Sequence, residues 1–385
     1  MSVFGGREDY LKLIGADGNP RSPIWEIGRD AGSVEMMRGL PFVGPAGEML
    51  DRWNRLVGRP RSSLYIDNVV RTQPASNKFE AHDSALVAEH VAALQARIVE
   101  HKPKLVLAFG NEAFRAVMGV SPYDEGTLPK IKEARGFLFD SPLGPRVMPV
   151  LHPAFFLHQH SEDAEWSAEG ERKKGSEWVP WWQLTQLDMK KAVREMRMGC
   201  PPLPARNVQM VSSLEEGEML RVAVRHATRL AVDIENGRDL TLSCLGVAVS
   251  PHFAYVIPAE AEWQLALIRE VCESPLPKDL QNGKYDRYLL RRYYGMEVRN
   301  QTRDAMFAWH ALQPELAGAV TEKRKGRYNR RSVKSLSVLA SVWTRDTHWK
   351  NYDFADKMEQ YMLCGADCCI TMECCDAMEP HLEAA

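Results

Sequence analysis

The first 199 of the 385 residues contain no cysteine; all eight fall later, at Cys200, Cys244, Cys272, Cys364, Cys368, Cys369, Cys374 and Cys375. That uneven use excludes a disulfide-scaffold protein. The adjacent pairs Cys368-Cys369 and Cys374-Cys375 lack the CxxC spacing of a zinc site. Neighbours on a helix also point about 100° apart and chelate one ion poorly. These cysteines read as small, reduced residues. No apolar run reaches the ~18–20 residues of a membrane span. The N-terminus lacks a basic-then-apolar leader pattern, so a cytoplasmic protein with no membrane partner is expected. Neither charge is in excess: 49 Lys and Arg face 51 Asp and Glu, a net charge of −2. Any site for a polyanion must therefore be a local basic patch.

What is present is ordinary for a globular chain, with 45% hydrophobic and 26% charged residues. At ~100–200 residues per domain, two domains are expected. Cys200-Pro-Pro-Leu-Pro-Ala-Arg-Asn207 has three prolines in four positions and reads as a linker. It divides the chain into domains 1–199 and 208–385 around a Pro-rich linker, 200–207. The segment His158–Trp182 reads as a long polar insertion loop whose aromatic end folds back on the body.

In the first domain, short apolar runs alternate with amphipathic stretches. Strands are predicted at Pro23–Ile27, Leu64–Val70, Lys104–Phe109 and Arg146–Leu151. Helices are predicted at Gly47–Val57, Ala81–His101 and Asn111–Met118. Such alternation predicts a parallel α/β sheet, and such sheets bind ligands beyond the carboxyl ends of their strands. Loops rich in Gly, Asp, Asn and His follow all four strands. In the second domain, strands are predicted around Val208–Val211, Arg229–Glu235, Cys244–Val249, Phe253–Ile257 and Asp279–Gln281. Helices are predicted at Trp263–Glu273, Tyr285–Tyr293, Asp304–Leu312, Ser335–Trp343 and Lys357–Met378.

Four carboxylates mark the second domain. Asp233 and Glu235 are two apart at a strand end, so their side chains share a face. Like charges held that close repel unless a cation lies between them, and carboxylate oxygens suit Mg²⁺ or Mn²⁺. Asn282 and Asp286 open one helix, and Asp367 sits in a late one. Asp-x-Glu, Asn-x-x-x-Asp and the late Asp, with the intervening helices, resemble the proofreading 3′–5′ exonuclease domain of family-A DNA polymerases. The resemblance covers about Val208–Met378. It implies an RNase H-like (DEDD) fold and a two-ion site held by Asp233, Glu235, Asp286 and Asp367, with Asn282 at the substrate. The family's water-orienting Tyr, four residues before the last Asp, is Leu363 here. Tyr361 is turned about 200° from that face.

The string Gly39-Leu-Pro-Phe-Val-Gly-Pro-Ala-Gly-Glu-Met-Leu-Asp51 is the most distinctive in the chain. With Tyr65–Arg71, Pro103–Gly110 and Leu151-His-Pro-Ala154, it resembles the family-4 uracil-DNA glycosylases. It is similar above all to the glycosylase-like domain at the N-terminus of some bacteriophage DNA polymerases. This covers about Ile24–Met196 and implies an α/β/α parallel-sheet domain that reads a flipped base. Phe42 would stack on the base and Asn68 would read its edge. His152 would donate to the oxygen that gains charge as the base leaves. The family loop carries a carboxylate in its second position, where this chain has Arg29; Asp30 in the third position is the candidate catalytic carboxylate. The family's iron–sulfur ligands fall at Thr72 and near His90, so no iron–sulfur cluster is expected.

The order of the two domains is that of those phage polymerases, which continue into a polymerase domain. It implies DNA as substrate, single-stranded or as a 3′ end, and either a fragment of such a polymerase or a separate family-A polymerase subunit as partner. The alternative to an exonuclease is a catalytically silent, uracil-sensing subunit of a split polymerase. The cluster Lys323–Arg331 interleaves Tyr328 and Asn329 with basic residues and suits a phosphate-and-base contact.

Overall fold

The structure, a computed structural model, describes residues 13–76, 78–162, 181–316, 319–324, 327–348 and 356–384; the side chains of 158–162, 319–324 and 327–331 lie outside the description. Two compact units divide the chain, the first ending at Pro202 and the second running from Leu203 to Ala385. Among the described residues no helix is long and apolar enough to cross a membrane.

The first unit is an α/β domain. In chain order it contains β1 (Asp17–Gly18), β2 (Ile24–Asp30), α1 (Ser33–Arg38), α2 (Pro45–Leu56), β3 (Tyr65–Val70) and α3 (Ser84–His101). There follow β4 (Leu105–Phe109), α4 (Asn111–Val117), α5 (Ile131–Ala134), β5 (Phe139–Asp140), β6 (Arg146–Val150), α6 (Pro153–Glu162) and α7 (Trp181–Arg197). The sheet order is β1-β3-β2-β4-β6-β5. The four central strands are parallel, and short antiparallel strands close both edges. Strands β3, β4 and β6 are buried throughout, as sequences such as LVLAF require when helices cover both faces.

All four predicted strands and three predicted helices are present. The predicted insertion loop differs from what is observed at both ends. Helix α6 continues to Glu162 and α7 begins at Trp181; residues 163–180 lie outside the described residues. Trp182 packs 5.3 Å from Trp53 and 5.7 Å from Phe156, centroid to centroid. Those aromatics therefore belong to the first turn of a core helix.

The second unit is also α/β. It contains β7 (Asn207–Met210), α8 (Leu214–His226), β8 (Leu230–Asn236), β9 (Leu242–Ser250), β10 (Phe253–Pro258), α9 (Glu262–Glu273), β11 (Lys278–Leu280), α10 (Gly283–Tyr294) and β12 (Gln301–Asp304). Then come α11 (Ala305–Leu312), β13 (Ala319–Arg324), β14 (Arg327–Ser332), α12 (Leu336–Trp343) and α13 (Lys357–Glu383). The main sheet runs β12-β11-β8-β9-β10-β7. Strand β8 lies between antiparallel β9 and parallel β11, the centre of an RNase H-like sheet. On one face, Leu230, Val232 and Ile234 join a core completed by α8, α9 and α10. On the other face lies α13. Of the cluster Lys323–Arg331, Lys323 and Arg324 lie on β13 and Arg327–Arg331 on β14, which pair antiparallel; 325–326 and the side chains of the cluster lie outside the described residues.

The clustered cysteines take their meaning from α13. Cys364, Cys368 and Cys369 pack against Ala231, Cys244, Ala248, Ala254 and Val256 of the sheet. All eight cysteines are free thiols, and seven are buried. Gly246 pairs with Asp233 on β8. A Cβ there would lie 2.7 Å from Cys368 Sγ and 2.9 Å from the Cys364 carbonyl oxygen. Small residues on both sides thus let α13 lie close on the sheet.

Candidate functional sites: a strand-end pocket and a carboxylate centre

The first site forms at the carboxyl ends of the parallel strands. A cavity of about 380 Å³ is lined by Asp30, Phe42, Asn68 and His152, with Arg29, Glu35, Phe109 and Glu112 among the rest. The four residues singled out from the sequence are thus brought together. Register explains part of this, since Gly28 on β2 stands opposite Asn68 on β3. A Cβ on Gly28 would meet Asn68 Oδ1 at 2.4 Å and the Phe42 ring at 2.5 Å. Only glycine leaves room there for both the amide and the ring.

Phe42 has a positive φ of 50°, which suits a residue held from several sides. Arg61 donates to the carbonyl oxygens of Pro41 (2.6 Å) and Phe42 (3.0 Å) and pairs with Asp17. A Cβ on Gly47 would lie 1.8 Å from the Phe42 oxygen, so this glycine admits the tight turn. Glu35 accepts from the amides of Val43 and Gly44. The Phe42 ring lies 5.5 Å from the His152 ring at 28°.

Asn68 is 2% exposed, and its carboxamide makes no hydrogen bond among the described residues. Its neighbour Asp67 is spoken for: it accepts from Tyr65, Arg71, Arg97 and the Asn68 amide. His152 Nδ1 accepts from the Ala154 amide at 3.1 Å, which leaves the ring proton on Nε2. Lost hydration and the Arg29 guanidinium push its pKa down to about 4, so the ring is neutral at pH 7.

Asp30 is paired. Arg29 Nε donates to its Oδ1 at 2.9 Å. Its Oδ2 faces His82 Nε2 at 3.4 Å, and neither of those buried atoms makes a hydrogen bond among the described residues. Sequence reasoning missed His82, Glu35, Arg61 and Glu112. Glu112 alone had a local signal, as an acid in the first turn of a helix that follows a strand–glycine turn. Thr72 and His90 are buried beside the end of β3, where His90 Nδ1 accepts from the Arg71 amide. Cys200 is the sole cysteine of this unit. The residues present do not fit a four-thiolate iron–sulfur cluster.

The second site forms where α13 meets β8. Asp233, Glu235 and Asp367 bring carboxylate oxygens within 4.8 Å of one another. Asp286 is not in that trio; it accepts from the Ile234 amide at 3.2 Å. Desolvation and the surrounding acids push Asp233 well above the usual carboxylate range, and burial pushes Asp286 up to about 7. Oxygen-only donors in mutual repulsion fit a hard divalent cation, which would relieve that repulsion. Asn282 caps the start of α10 with φ 58°, and Asp304 holds that turn by accepting from the amides of Asn282 and Gly283. The Asn282 side chain is exposed. Tyr361 is buried with Cys244, Val256 and Cys364, its hydroxyl donating to Glu260, so it faces away as the helical spacing predicts. Gln360, missed from the sequence, reaches Glu235 Oε2 at 3.4 Å.

Residues 16–173 match the family model described as the uracil DNA glycosylase superfamily. A type-4 uracil-DNA glycosylase of Thermotoga maritima is 29% identical over 151 residues, which cover 39% of this chain and 74% of that protein. The type-4 enzyme of Saccharolobus solfataricus is 30% identical over 26% of this chain and 46% of its own length. Among solved structures, Escherichia coli RNase D, an exoribonuclease, aligns at 16% identity and a TM-score of 0.32, covering 46% of each chain. By sequence, then, the N-terminal unit is similar to the uracil-DNA glycosylase superfamily.

Proposed function

We propose that the protein is a DNA-processing hydrolase with a metal-dependent 3′–5′ exonuclease centre and a separate uracil-reading pocket. The observation that carries the nuclease reading is the convergence of Asp233, Glu235 and Asp367 within 4.8 Å. Asp233, Glu235 and Asp367 would hold one Mg²⁺ or Mn²⁺ and Asp286 would help hold a second, supplying water activation and stabilisation of the departing 3′ oxygen. Leu363 offers no hydroxyl to orient water. Gln360, one turn earlier on α13, is the polar group there that faces Glu235. Asn282 lies at the exposed rim, where a strand end would enter.

In the pocket, Phe42 would stack on a flipped pyrimidine. The carboxamide of Asn68, without a hydrogen bond among the described residues, offers one donor and one acceptor to its edge. His152, neutral and protonated on Nε2, would donate to the uracil oxygen. A specific observation favours recognition over rapid excision: the Arg29–Asp30 ion pair occupies the candidate catalytic carboxylate. A role in phage replication, with a family-A polymerase subunit as partner, is supported by the resemblance in domain order alone.

The deciding experiment supplies Mn²⁺ and single-stranded DNA labelled at its 5′ end. Stepwise shortening from the 3′ end is expected, and it should vanish in EDTA and in the Asp233→Ala, Glu235→Ala double variant. Shortening by that variant at the wild-type rate would sink the nuclease reading.

A further inference from the structure

Beyond the carboxylate centre, the second unit carries a groove along the outer edge of its sheet. Strand β12 hydrogen-bonds to β11 on one side and has no strand on the other among the described residues. Helices α10 and α11 and the end of α13 wall this edge. Two adjoining cavities, of about 710 and 750 Å³, share Arg287, Gln301 and Phe307 and together form a continuous trough.

The lining has a definite character. Lys284, Arg287 and Arg291 recur at helical spacing on one flank of α10 and make no ion pair among the described residues. Arg299 adds a fourth cation, partly engaged by Glu273 at 3.5 Å. Glu297 is the one acid lining that half of the trough; the other half is lined by Asp304, Glu379 and Glu383 beside Arg287 and Arg303, so the cationic surface is the α10 flank. Two rings stand in solvent across it: Tyr288 is 61% exposed and Phe307 56%. Large exposed rings among unpaired cations are a costly way to build a mere solvated face. They match what an unpaired nucleic-acid strand offers, phosphates for the cations and bases for the rings.

Helix α10 links the trough to the centre. The floor of the trough, β12, ends at Asp304, which holds the first turn of α10. That helix carries Asp286 on its buried side. Tyr285, 44% exposed, lies one turn before Tyr288 and donates to Asn236 Oδ1 at 2.9 Å, beside Glu235.

We propose that the α10 half of this trough binds the upstream body of a single-stranded DNA whose 3′ end lies at the carboxylate centre, with phosphates on Lys284, Arg287 and Arg291 and bases stacked on Tyr288 and Phe307. The orientation rests on the nuclease reading above; the binding surface does not. Electrostatic capture along the trough would hold the strand between successive cleavages.

The test uses the full chain in EDTA, which silences cleavage, with fluorescein-labelled oligothymidylates of about 20 and about 4 nucleotides read by anisotropy. The longer strand should bind the wild type at least ~10-fold more tightly. Arg287→Ala with Arg291→Ala should weaken it by about 10-fold or more. The same change should reduce the slope of log K against log salt by about 1.4, at ~0.7 per lost phosphate contact on a single strand. Tyr288→Ala with Phe307→Ala should weaken it by about 5-fold or more with the slope unchanged, since stacking releases no counterions. The short oligonucleotide should bind all three proteins alike. Melting curves check that both variants fold.

Equal affinity for long and short strands, or wild-type binding of the long strand by either double variant, overturns the proposal; the exposed β12 edge would then be left to an extended peptide. Failure of the nuclease reading shows separately, as shortening that survives loss of Asp233 and Glu235.

Discussion

Asp30 shows how one neighbour can decide a residue's use. Its position suits a water-activating or charge-stabilising carboxylate, yet Arg29 occupies one oxygen and His82 faces the other. A positioned general base contributes about 10²–10⁴ in rate. Arg29→Ala should therefore raise uracil excision from a feeble wild-type level by about 10-fold or more, and adding Asp30→Asn should cancel the gain. The readout is alkali-labile abasic sites formed in EDTA. Excision that stays flat in Arg29→Ala would show that the ion pair is not what restrains it. In the same assay Asn68→Ala should abolish any preference for uracil over thymine.

Glu26 supplies a pH signature at this scale. It is wholly buried on β2, accepts from Asn54, and burial pushes its pKa up to about 7 from an ordinary 4.5. The folded state therefore binds more protons than the unfolded state between these values. Its effect is a penalty that is absent below pH 4.5, grows as pH rises to about 7, and is constant beyond, at roughly 3 kcal/mol. Glu26→Gln should melt above wild type at pH 8, with the gap closing toward pH 5. A gap that is the same at both pH values would contradict the buried, proton-holding carboxyl.

Among the elements, α13 determines whether the carboxylate centre exists. Asp367 meets Asp233 and Glu235 because Gly246 and the small residues of α13 allow close packing. Gly246→Val should cost about 1–3 kcal/mol or more by overpacking. It should also cut Mn²⁺-dependent shortening by at least ~10-fold, since the helix must lift and carry Asp367 away. Retained activity in a destabilised variant would separate packing from the site. The sequence already showed the pattern without the reason. Cys364, Gly365, Cys368 and Cys369 are visibly small, but only the facing sheet explains why: Gly246 lies against Cys364 and Cys368, and Val208 and Val256 lie against Gly365. Helix α8 was legible and overlooked: Ser213 and Glu216 form a reciprocal capping box at its start. Strand β12 was not legible, because Gln301-Thr-Arg-Asp304 has little apolar content and is held by pairing with β11.

At the scale of the molecule, the proposed function assigns two chemistries to two units of one chain, and their dependence on conditions should then separate cleanly. Removing divalent ions should stop shortening and leave uracil recognition intact. Asn68→Ala should change uracil preference and leave the shortening of uracil-free DNA at the wild-type rate. Running both assays on both variants tests this; a crossed effect would show that the units act as one. The first unit's parallel sheet was legible from strand–helix alternation, whereas the second unit's fold, and the grouping of Phe42, Asn68 and His152 and of the acids, were legible only through resemblance to known families. The supporting groups were not, because His82, Arg61 and Gln360 act from positions remote in the chain, which no local spacing reports.

The clamp on Phe42 has a kinetic consequence. Arg61 fixes the backbone on either side of the ring, and Gly47 closes the turn from below. Ordering that loop is thus completed when the chain folds, and on the proposed reading an arriving base would meet a platform already in place. Capture should then proceed at the speed with which a nucleotide swings out of its stack. Substrates that open readily, such as mismatches and single strands, should be engaged faster than well-stacked duplex carrying the same base. Loosening the clamp with Arg61→Ala should blunt that contrast by making loop closure the slow event for every substrate.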